Sequence, residues 1–377
     1  MKVVTLFGTR PEIIRLSAVI RTLDRFCTNL LVHTGQNYDP LLSDVFFKEL
    51  AVRPPDVHLG IGAASGFASQ AAAILEKSGE VLERERPDRV LILGDTTSGL
   101  SAIVAARLGI PVYHMEAGNR CYDDRVPEEI NRRVIDHSST VLLPYTERSK
   151  DNLVREGIER ERIFVTGNPI FEVLNHYQQE IDSSRALERL VVTDKGYLLV
   201  TLHRAENVDR PARLARILGA LTAAGQAHGL PVLVSVHPRT ADRMKEFGVT
   251  GSGLTLFRPL GFFDFVKLEK RARAVLSDSG TVQEECAIFG VPNVTLRDVT
   301  ERAETVECGS NVLSGSDPED IARALAVALA TGTDWTAPRE YVVPVVSRTV
   351  AKIILGYVSV RRHVSGPEDQ EASVDKV

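Results

Sequence analysis

Residues 89–116 read RVLILGDTTSGLSAIVAARLGIPVYHME, and this stretch decides the fold class. The apolar run Arg89–Leu93 predicts a strand, the amphipathic stretch Ser98–Leu108 predicts a helix, and Pro111–His114 predicts a second strand. A strand, a helix and a strand in such close succession indicate one βαβ unit of a parallel sheet.

The same alternation runs along both halves of the chain. Further strands are predicted at Val3–Phe7, Leu30–His33, Thr140–Leu143 and Ile163–Thr166, and then at Tyr197–Leu202, Val232–His237, Leu254–Phe257, Ala274–Ser277 and Asn293–Leu296. Helical patterns such as Ile13–Phe26 and Ser65–Arg86 separate them. We therefore expect an α/β protein with two doubly wound domains, residues 1–175 and 190–342. Residues 343–377 are expected to form a helix at Pro344–Gly356 and a polar tail, with a return of this helix to the first domain left open.

Composition narrows the class of protein. A chain of 377 residues is long for one hydrophobic core, which favours two domains. The net charge of −5 argues against nucleic-acid or membrane-surface partners, which basic proteins usually bind. No apolar run is long enough to span a bilayer and the N-terminus lacks a signal-peptide pattern, so we expect a cytoplasmic protein. The four cysteines, Cys27, Cys121, Cys286 and Cys308, are scattered, which favours buried thiols over a metal site.

Two motifs of the first half follow predicted strands, where open α/β sheets bind ligands. Residues 8–12, GTRPE, open a helix whose positive end, together with Arg10 and Arg15, suits an anionic group. An ordinary turn with a solvated arginine is the alternative. Asp95, in the turn Gly94-Asp95-Thr96, is either a helix cap or a catalytic group. With two such domains, we expect the site in a cleft between them.

The densest charge lies at residues 114–133, HMEAGNRCYDDRVPEEINRR. Side chains this polar are costly to pack into a core, so we expect them to line a cleft. Glu116 follows its strand directly. Of Glu128 and Glu129, one is expected only to favour the helix dipole, and Pro127 at the first helical position places Glu128 nearer the cleft. Carboxylates beside guanidinium groups suit proton transfer next to a phosphate-bearing substrate.

The second half carries a phosphate-binding pattern. His203 and Arg204 end a strand and are able to bind phosphate or assist proton transfer, although a structural histidine is the alternative. Residues 277–285, SDSGTVQEE, form a small, flexible turn into a helix, where N–H groups and hydroxyls suit a diphosphate. Glu285 is placed to accept both hydroxyls of a ribose, unless it is a surface glutamate. Residues 259–265, PLGFFDF, offer a base-binding surface or core packing.

Six of these motifs together resemble the non-hydrolysing UDP-N-acetylglucosamine 2-epimerases, over about residues 1–355. In chain order they are GTRPE at 8–12, GDT at 94–96, HMEAG at 114–118, PEEINR at 127–132, HRAEN at 203–207 and SDSGTVQEE at 277–285. The resemblance implies a GT-B-type fold, in which two Rossmann-like doubly wound domains face a central cleft. It also implies a homodimer, a UDP-sugar substrate, and neither a cofactor nor a metal.

The resemblance assigns roles by position. Asp95, Glu116 and Glu128 would be catalytic carboxylates, with His203 as a further catalytic group that contacts substrate. The residues implied to hold the nucleotide sugar are Arg10, Arg15, His203, Leu260, Phe265, Ser279, Gly280, Thr281, Glu285 and Arg302. Leu260 and Phe265 would meet the uracil, Ser279–Thr281 the diphosphate and Glu285 the ribose.

The implied activity is C2 epimerisation of UDP-N-acetylglucosamine to UDP-N-acetylmannosamine, through elimination and re-addition of UDP. Arg15 stands where the family usually has lysine, and residues 300–304 read TERAE in place of TERPE. Residues 36–39 read QNYD where substrate-activated members carry QHR, so we expect no allosteric UDP-sugar site. Residues 120–127 resemble epimerases of deoxy or diacetamido capsule sugars, which leaves the exact hexosamine open. A GT-B glycosyltransferase, a hydrolysing relative and an inactive UDP-sugar sensor are the competing interpretations of these motifs.

Overall fold

The chain folds into two compact α/β units, seen in a computed structural model that describes residues 1–36, 40–63 and 66–357. The first unit comprises Met1–Pro169 and, of the described residues, also 345–357, and the second comprises Ile170–Pro344. In the described residues, no helix is both long and apolar enough to cross a membrane.

The first unit is built on a six-stranded parallel sheet in the order β3-β2-β1-β4-β5-β6. Its strands are β1 (Lys2–Phe7), β2 (Thr28–His33), β3 (Val57–His58), β4 (Arg89–Leu93), β5 (Val112–Met115) and β6 (Val141–Leu143). Its helices are α1 (Arg10–Leu23), α2 (Pro40–Glu49), α3 (Phe67–Glu85), α4 (Ser101–Arg107), α5 (Pro127–Ser138) and α6 (Glu147–Arg155), with 3₁₀ turns at Ile61–Ala63, Thr97–Leu100 and Arg160–Arg162. This is the strand order of dinucleotide-binding folds, with a topological switch between β1 and β4.

The second unit repeats this topology with the sheet order β12-β11-β10-β7-β8-β9, again parallel. Its strands are β7 (Leu198–Leu202), β8 (Val232–Val236), β9 (Thr255–Phe257), β10 (Ala274–Ser277), β11 (Asn293–Thr295) and β12 (Asn311–Leu313). Its helices are α7 (Ile170–His176), α8 (Gln178–Ser183), α9 (Ala186–Arg189), α10 (Ala205–Val208), α11 (Pro211–His228), α12 (Pro238–Phe247), α13 (Phe262–Arg271), α14 (Gly280–Phe289), α15 (Ala303–Glu307) and α16 (Pro318–Ala330), with a 3₁₀ turn at Arg339–Val342. The final helix, α17 (Ser347–Gly356), belongs to the first unit and packs against α1.

The central strands are buried on both faces, which explains their continuous apolar sequence. Every residue of β4 and of β10 is buried. Helices cover the two faces of each sheet, so each unit encloses its own hydrophobic core. The polar turns at the carboxyl ends of the strands are thereby held on rigid elements.

The predicted α/β class with two Rossmann-like sheets is confirmed, but several boundaries differ. The predicted strand Ile163–Thr166 is wrong, because only Ile163 makes a bridge, to Leu142. The short edge strands β3 and β12 were not predicted. The second unit begins at Ile170 and not at residue 190, because α8 and α9 pack on α13 and so belong to its core. The predicted helix start at Ser65 and the polar tail beyond Tyr357 lie outside the described residues.

Candidate functional site

In the first unit, three adjacent strands deliver polar turns to one edge of the sheet. β1, β4 and β5 are neighbours, and their carboxyl ends lead into Gly8, Gly94 and Glu116 respectively. A Cβ atom placed on Gly94 would lie 3.6 Å from Oε2 of Glu116, so the turn after β4 lies against the carboxylate that follows β5. The structure therefore brings the predicted residues Asp95 and Glu116 to adjacent turns.

Glu116 is held in a buried ion pair with the predicted residue Arg15. Nη1 of Arg15 lies 3.2 Å from Oε2 of Glu116, and the two side chains are only 4% and 9% exposed. Asn119 donates to Oε1 of Glu116 at 3.2 Å, and the Tyr145 hydroxyl lies 3.5 Å from Oε2. The backbone of Glu116 has a positive φ of 65°, which is uncommon for a residue other than glycine. The carboxylate is thus oriented by partners on several elements.

Asp95 is oriented by Arg132, two nitrogens of which contact one of its carboxylate oxygens. Nε and Nη2 of Arg132 lie 2.8 and 2.7 Å from Oδ2 of Asp95, and Asn131 donates to the Asp95 backbone carbonyl at 3.0 Å. Both donors lie on α5. The Asp95 side chain stays 27% exposed, so solvent or a ligand has access to it. Thus Asp95 is bound from α5 and does not act as a simple helix cap.

Glu12 is a buried carboxyl group at the same edge, and it is not among the predicted site residues. Its Oε2 accepts the backbone N–H groups of Gly8 and Thr9 at 2.6 and 2.7 Å, and its Oε1 accepts the Thr96 hydroxyl at 2.7 Å. Burial raises the pKa of Glu12 from an ordinary 4.5 to about 7, although these hydrogen bonds lower it. The pattern Thr-x-x-Glu at residues 9–12 is a capping-box signature, which is the signal that points to this residue.

The two first-turn glutamates of α5 have different surroundings. Glu129 is fully buried and accepts the backbone N–H groups of Cys121 and Tyr122, and it pairs with Arg132 at 2.8 Å. Burial would raise the pKa of Glu129, but these partners bring it below its ordinary value. Glu128 is half-buried on the first turn of the same helix. The inward-pointing glutamate is therefore Glu129, and a catalytic role for Glu128 stays a prediction.

A buried network lies behind the Glu116 turn. His114 lies 2.8 Å from Asp136 through Nδ1 and 2.8 Å from the Gly94 carbonyl through Nε2. Arg120 lies 2.8 Å from the other Asp136 oxygen. Burial would raise the pKa of Asp136, but His114 and Arg120 hold it below its ordinary value. This network fixes the ends of β4 and β5 relative to each other.

The remaining predicted residue of this unit is Arg10, which is half-buried. Its guanidinium carbon lies 5.8 Å from the centre of the Phe46 ring. Residues 37–39, on which the expectation about an allosteric site depends, lie outside the described residues.

In the second unit, His203 follows β7 and faces a buried aspartate. Nδ1 of His203 lies 3.1 Å from Oδ1 of Asp278, which follows the neighbouring strand β10. Asp278 also accepts the backbone N–H groups of His203 and Arg204 and the Asn207 amide. Burial alone would raise the pKa of Asp278, but the facing His203 and the donated hydrogen bonds lower it to about 2. The buried carboxylate therefore orients His203, whose side chain is 38% exposed and accessible to a ligand.

The predicted diphosphate turn opens α14. The hydroxyls of Ser279 and Thr281 lie 3.0 Å apart, and Ser279 is the residue before the helix. A Cβ on Gly280 would lie 2.6 Å from Oε1 of the buried Glu301, so a larger residue there would have to displace the Glu301 carboxylate. Arg302, which is buried, bonds Glu284 of α14 through Nε. Ser279–Thr281 and Arg302 thus lie together at the start of one helix, where the N–H groups of the first turn favour an anion.

The predicted nucleoside residues lie on neighbouring elements. Glu285 is buried on α14, and Glu269 of α13 contacts it. Leu260 and Phe265 are partly buried against the core cluster that α13 and α14 share. Within residues 1–36, 40–63 and 66–357, no group of three or more His, Cys, Asp or Glu residues is arranged to hold a metal ion.

Comparison with known proteins identifies the family. The family model described as UDP-N-acetylglucosamine 2-epimerase matches residues 22–355. A relative from Methanocaldococcus jannaschii named UDP-N-acetylglucosamine 2-epimerase is 41% identical over 90% of this chain and 95% of its own. A Pseudomonas aeruginosa relative named UDP-2,3-diacetamido-2,3-dideoxy-D-glucuronate 2-epimerase is 37% identical over 87% of this chain and 92% of its own.

A solved structure agrees with these sequence matches. The crystal structure of the M. jannaschii UDP-GlcNAc 2-epimerase in complex with UDP-GlcNAc and UDP has a TM-score of 0.89 and 39% identity, covering 94% of this chain and 99% of that one. Because the family model and a relative of 41% identity both span most of the sequence, the chain belongs to the UDP-N-acetylglucosamine 2-epimerase family of isomerases.

Proposed function

We propose that this protein inverts C2 of UDP-N-acetylglucosamine to give UDP-N-acetylmannosamine, by elimination and re-addition of UDP. The observation that carries the proposal is the pair of carboxylates Asp95 and Glu116 on adjacent turns, each bound by an arginine, in a chain of this family. An epimerisation needs acid and base groups at both faces of one carbon, and two oriented carboxylates meet that need.

The chemistry of the sugar selects the order of steps. C2–H is not next to a carbonyl, so a base cannot remove this proton to form an enolate. Cleavage of the C1–O bond, with its electron pair leaving on UDP, builds positive charge at C1 and makes C2–H acidic. A carboxylate then takes the C2 proton, which leaves 2-acetamidoglycal, UDP and a protonated carboxyl group. Protonation of C2 from the opposite face and re-addition of UDP at C1 complete the inversion.

The first unit would supply the proton-transfer groups. Arg15 holds the carboxylate of Glu116 in place through an ion pair. Arg132 fixes the carboxylate of Asp95 through its Nε and Nη2 atoms. Glu128 is proposed as the third carboxylate from the family resemblance. Each proton-transfer group is expected to contribute about 10²–10⁴-fold to the rate.

The second unit would bind the leaving group. N–H groups at the start of α14, with the hydroxyls of Ser279 and Thr281 and the Arg302 guanidinium, would hold the diphosphate. Arg10, in the first unit, is proposed as a substrate-binding residue from the family resemblance alone. His203, oriented by Asp278, would donate a hydrogen bond to the diphosphate and so stabilise charge that develops on UDP. Glu285 would accept the ribose hydroxyls, and the segment around Leu260 and Phe265 would meet the uracil.

A second candidate substrate is a modified UDP-N-acetylhexosamine with a deoxy or diacetamido sugar. The Pseudomonas aeruginosa relative, named for a diacetamido uronate, supports it at 37% identity.

We further propose a cytoplasmic homodimer, in keeping with the family resemblance. Sedimentation of the purified protein tests the dimer, and a monomer at micromolar concentration would contradict it.

The test of function is incubation of the purified protein with UDP-N-acetylglucosamine alone, followed by NMR of the products. UDP-N-acetylmannosamine is the expected product, and Glu116→Gln should slow its formation about 10²-fold or more. Glu147→Gln, which changes an exposed acid at the start of α6, is the matched control and should leave the rate unchanged. Free N-acetylmannosamine plus UDP would indicate hydrolysis. No reaction without an acceptor, but turnover with one, would indicate a glycosyltransferase.

A further inference from the structure

We propose that Glu269 carries a proton and donates it in a hydrogen bond to Glu285, and so positions Glu285 to accept the ribose hydroxyls of a nucleoside diphosphate. This inference rests on the proposed function, which places the ribose at Glu285. Glu269 itself would touch no part of the ligand, so it is a positioning residue that acts through its neighbour.

The geometry places two carboxyl groups together inside the second unit. Glu269, on α13, is fully buried, and Glu285, on α14, is 6% exposed. Their side chains are in hydrogen-bonding contact. The surrounding cluster includes Tyr197, Val282 and Leu268, all of them buried. Ionising both carboxyl groups in such an environment is costly, because water screens their repulsion poorly.

The proton belongs on Glu269, the deeper of the two. The Cys286 thiol lies 3.5 Å from Oε1 of Glu269, and burial raises the pKa of this thiol, so it remains a donor. Within the described residues, no donor lies in bonding range of Oε2 of Glu269. A buried carboxylate oxygen without a donor is costly, whereas a protonated oxygen next to another carboxylate supplies its own hydrogen bond. Burial and the neighbouring Glu285 both raise the pKa of Glu269 well above its ordinary value.

The shared proton has two consequences for a ligand. The pair carries one negative charge instead of two, which limits repulsion of a diphosphate bound at the start of the same helix. The hydrogen bond from Glu269 also fixes the orientation of the Glu285 carboxylate, a group whose oxygens accept O–H groups. The arrangement therefore favours a ribonucleotide over a nucleotide without ribose hydroxyls.

The experiment compares the binding of UDP and of 2′,3′-dideoxy-UDP to the full-length protein by calorimetry. Glu269→Gln keeps a neutral donor of the same shape and should bind UDP within about threefold of the native protein. Glu269→Leu removes the donor and should weaken UDP binding about tenfold or more, with little change for the dideoxy ligand. Normal binding of the dideoxy ligand would also show that the Leu variant is folded. Equal weakening of both ligands, or unchanged UDP binding, would overturn the proposal.

Infrared spectroscopy gives an answer that does not depend on the Leu variant. The difference spectrum between the native protein and Glu269→Gln at neutral pH should contain the carbonyl band of a protonated carboxyl group, and its absence would overturn the proposal. Failure of this inference is distinct from failure of the proposed function. A native protein that binds both ligands equally well would refute a ribose contact at Glu285, whereas epimerisation is measured separately.

Discussion

Glu12→Gln should make the first unit more stable at neutral and alkaline pH relative to the native protein. Glu12 is 2% exposed, and its pKa is about 7 in the folded state against an ordinary 4.5. This difference corresponds to about 3 kcal/mol of unfolding free energy. Gln fits the same contacts, because its oxygen accepts the Gly8 and Thr9 N–H groups and its amide donates to Thr96.

The direction of the effect follows from the raised pKa. Below pH 4.5, Glu12 is protonated in both states and affects stability little. As the pH rises towards 7, the unfolded chain ionises first, so the native protein loses about 3 kcal/mol that the Gln variant retains. Between about pH 5 and pH 8, the stability of the variant relative to the native protein should therefore rise by about 2.5 kcal/mol.

The assay is urea unfolding followed by far-UV circular dichroism at several pH values. Trp335, the one tryptophan of the sequence, lies in the second unit, so its fluorescence reports a transition that the substitution should leave unchanged. Glu147→Gln serves as the control in the first unit. Equal pH dependence of the native protein and the Gln variant would refute a protonated Glu12.

Three further substitutions give distinct expectations. Gly118→Ala should lower the free energy of unfolding in urea by about 3 kcal/mol. Gly118 has a φ of 79°, and a Cβ there would overlap a carbonyl oxygen of α6. A loss below about 1 kcal/mol would contradict this. Arg132→Lys should lower kcat about tenfold with little change in KM, because the single nitrogen of lysine cannot replace the two guanidinium nitrogens that contact Asp95. An unchanged kcat would count against an oriented Asp95. Asp278→Asn should lower the free energy of unfolding by about 2 kcal/mol at pH 7. The pKa of Asp278 falls from 3.8 to about 2 on folding, so its ionised form stabilises the folded protein above about pH 4. Trp335 fluorescence should show this loss shrinking as the pH falls towards 2, and a pH-independent loss would contradict a lowered pKa of Asp278.

Much of the fold follows from local sequence signals. Long apolar strands such as β4 and β10 are buried on both faces, so their composition alone indicates a parallel sheet. The strand predicted at Ile163–Thr166 is wrong although the segment is apolar. It lies at the sheet edge, where Ile163 makes a single bridge to Leu142 and no continuous strand pairing follows. The edge strand β12 was missed because half-buried residues and a short length give a weak pattern.

The candidate site was predictable where a charged residue directly follows a strand. Asp95 and Glu116 occupy such positions, and the sheet order then makes them neighbours. The partners that orient them were not predictable, because Arg15 and Arg132 reach them from helices through tertiary packing. The roles of two adjacent acids on α5 were likewise set by packing, which buries Glu129.

Proton transfer at C2 is tested by turnover of UDP-N-acetylglucosamine in D₂O, with NMR of the sugar in both nucleotide sugars. Proton exchange at C2 through an elimination predicts that the UDP-N-acetylmannosamine formed carries deuterium at C2. A product that retains its original C2 hydrogen would contradict proton transfer by these carboxylates.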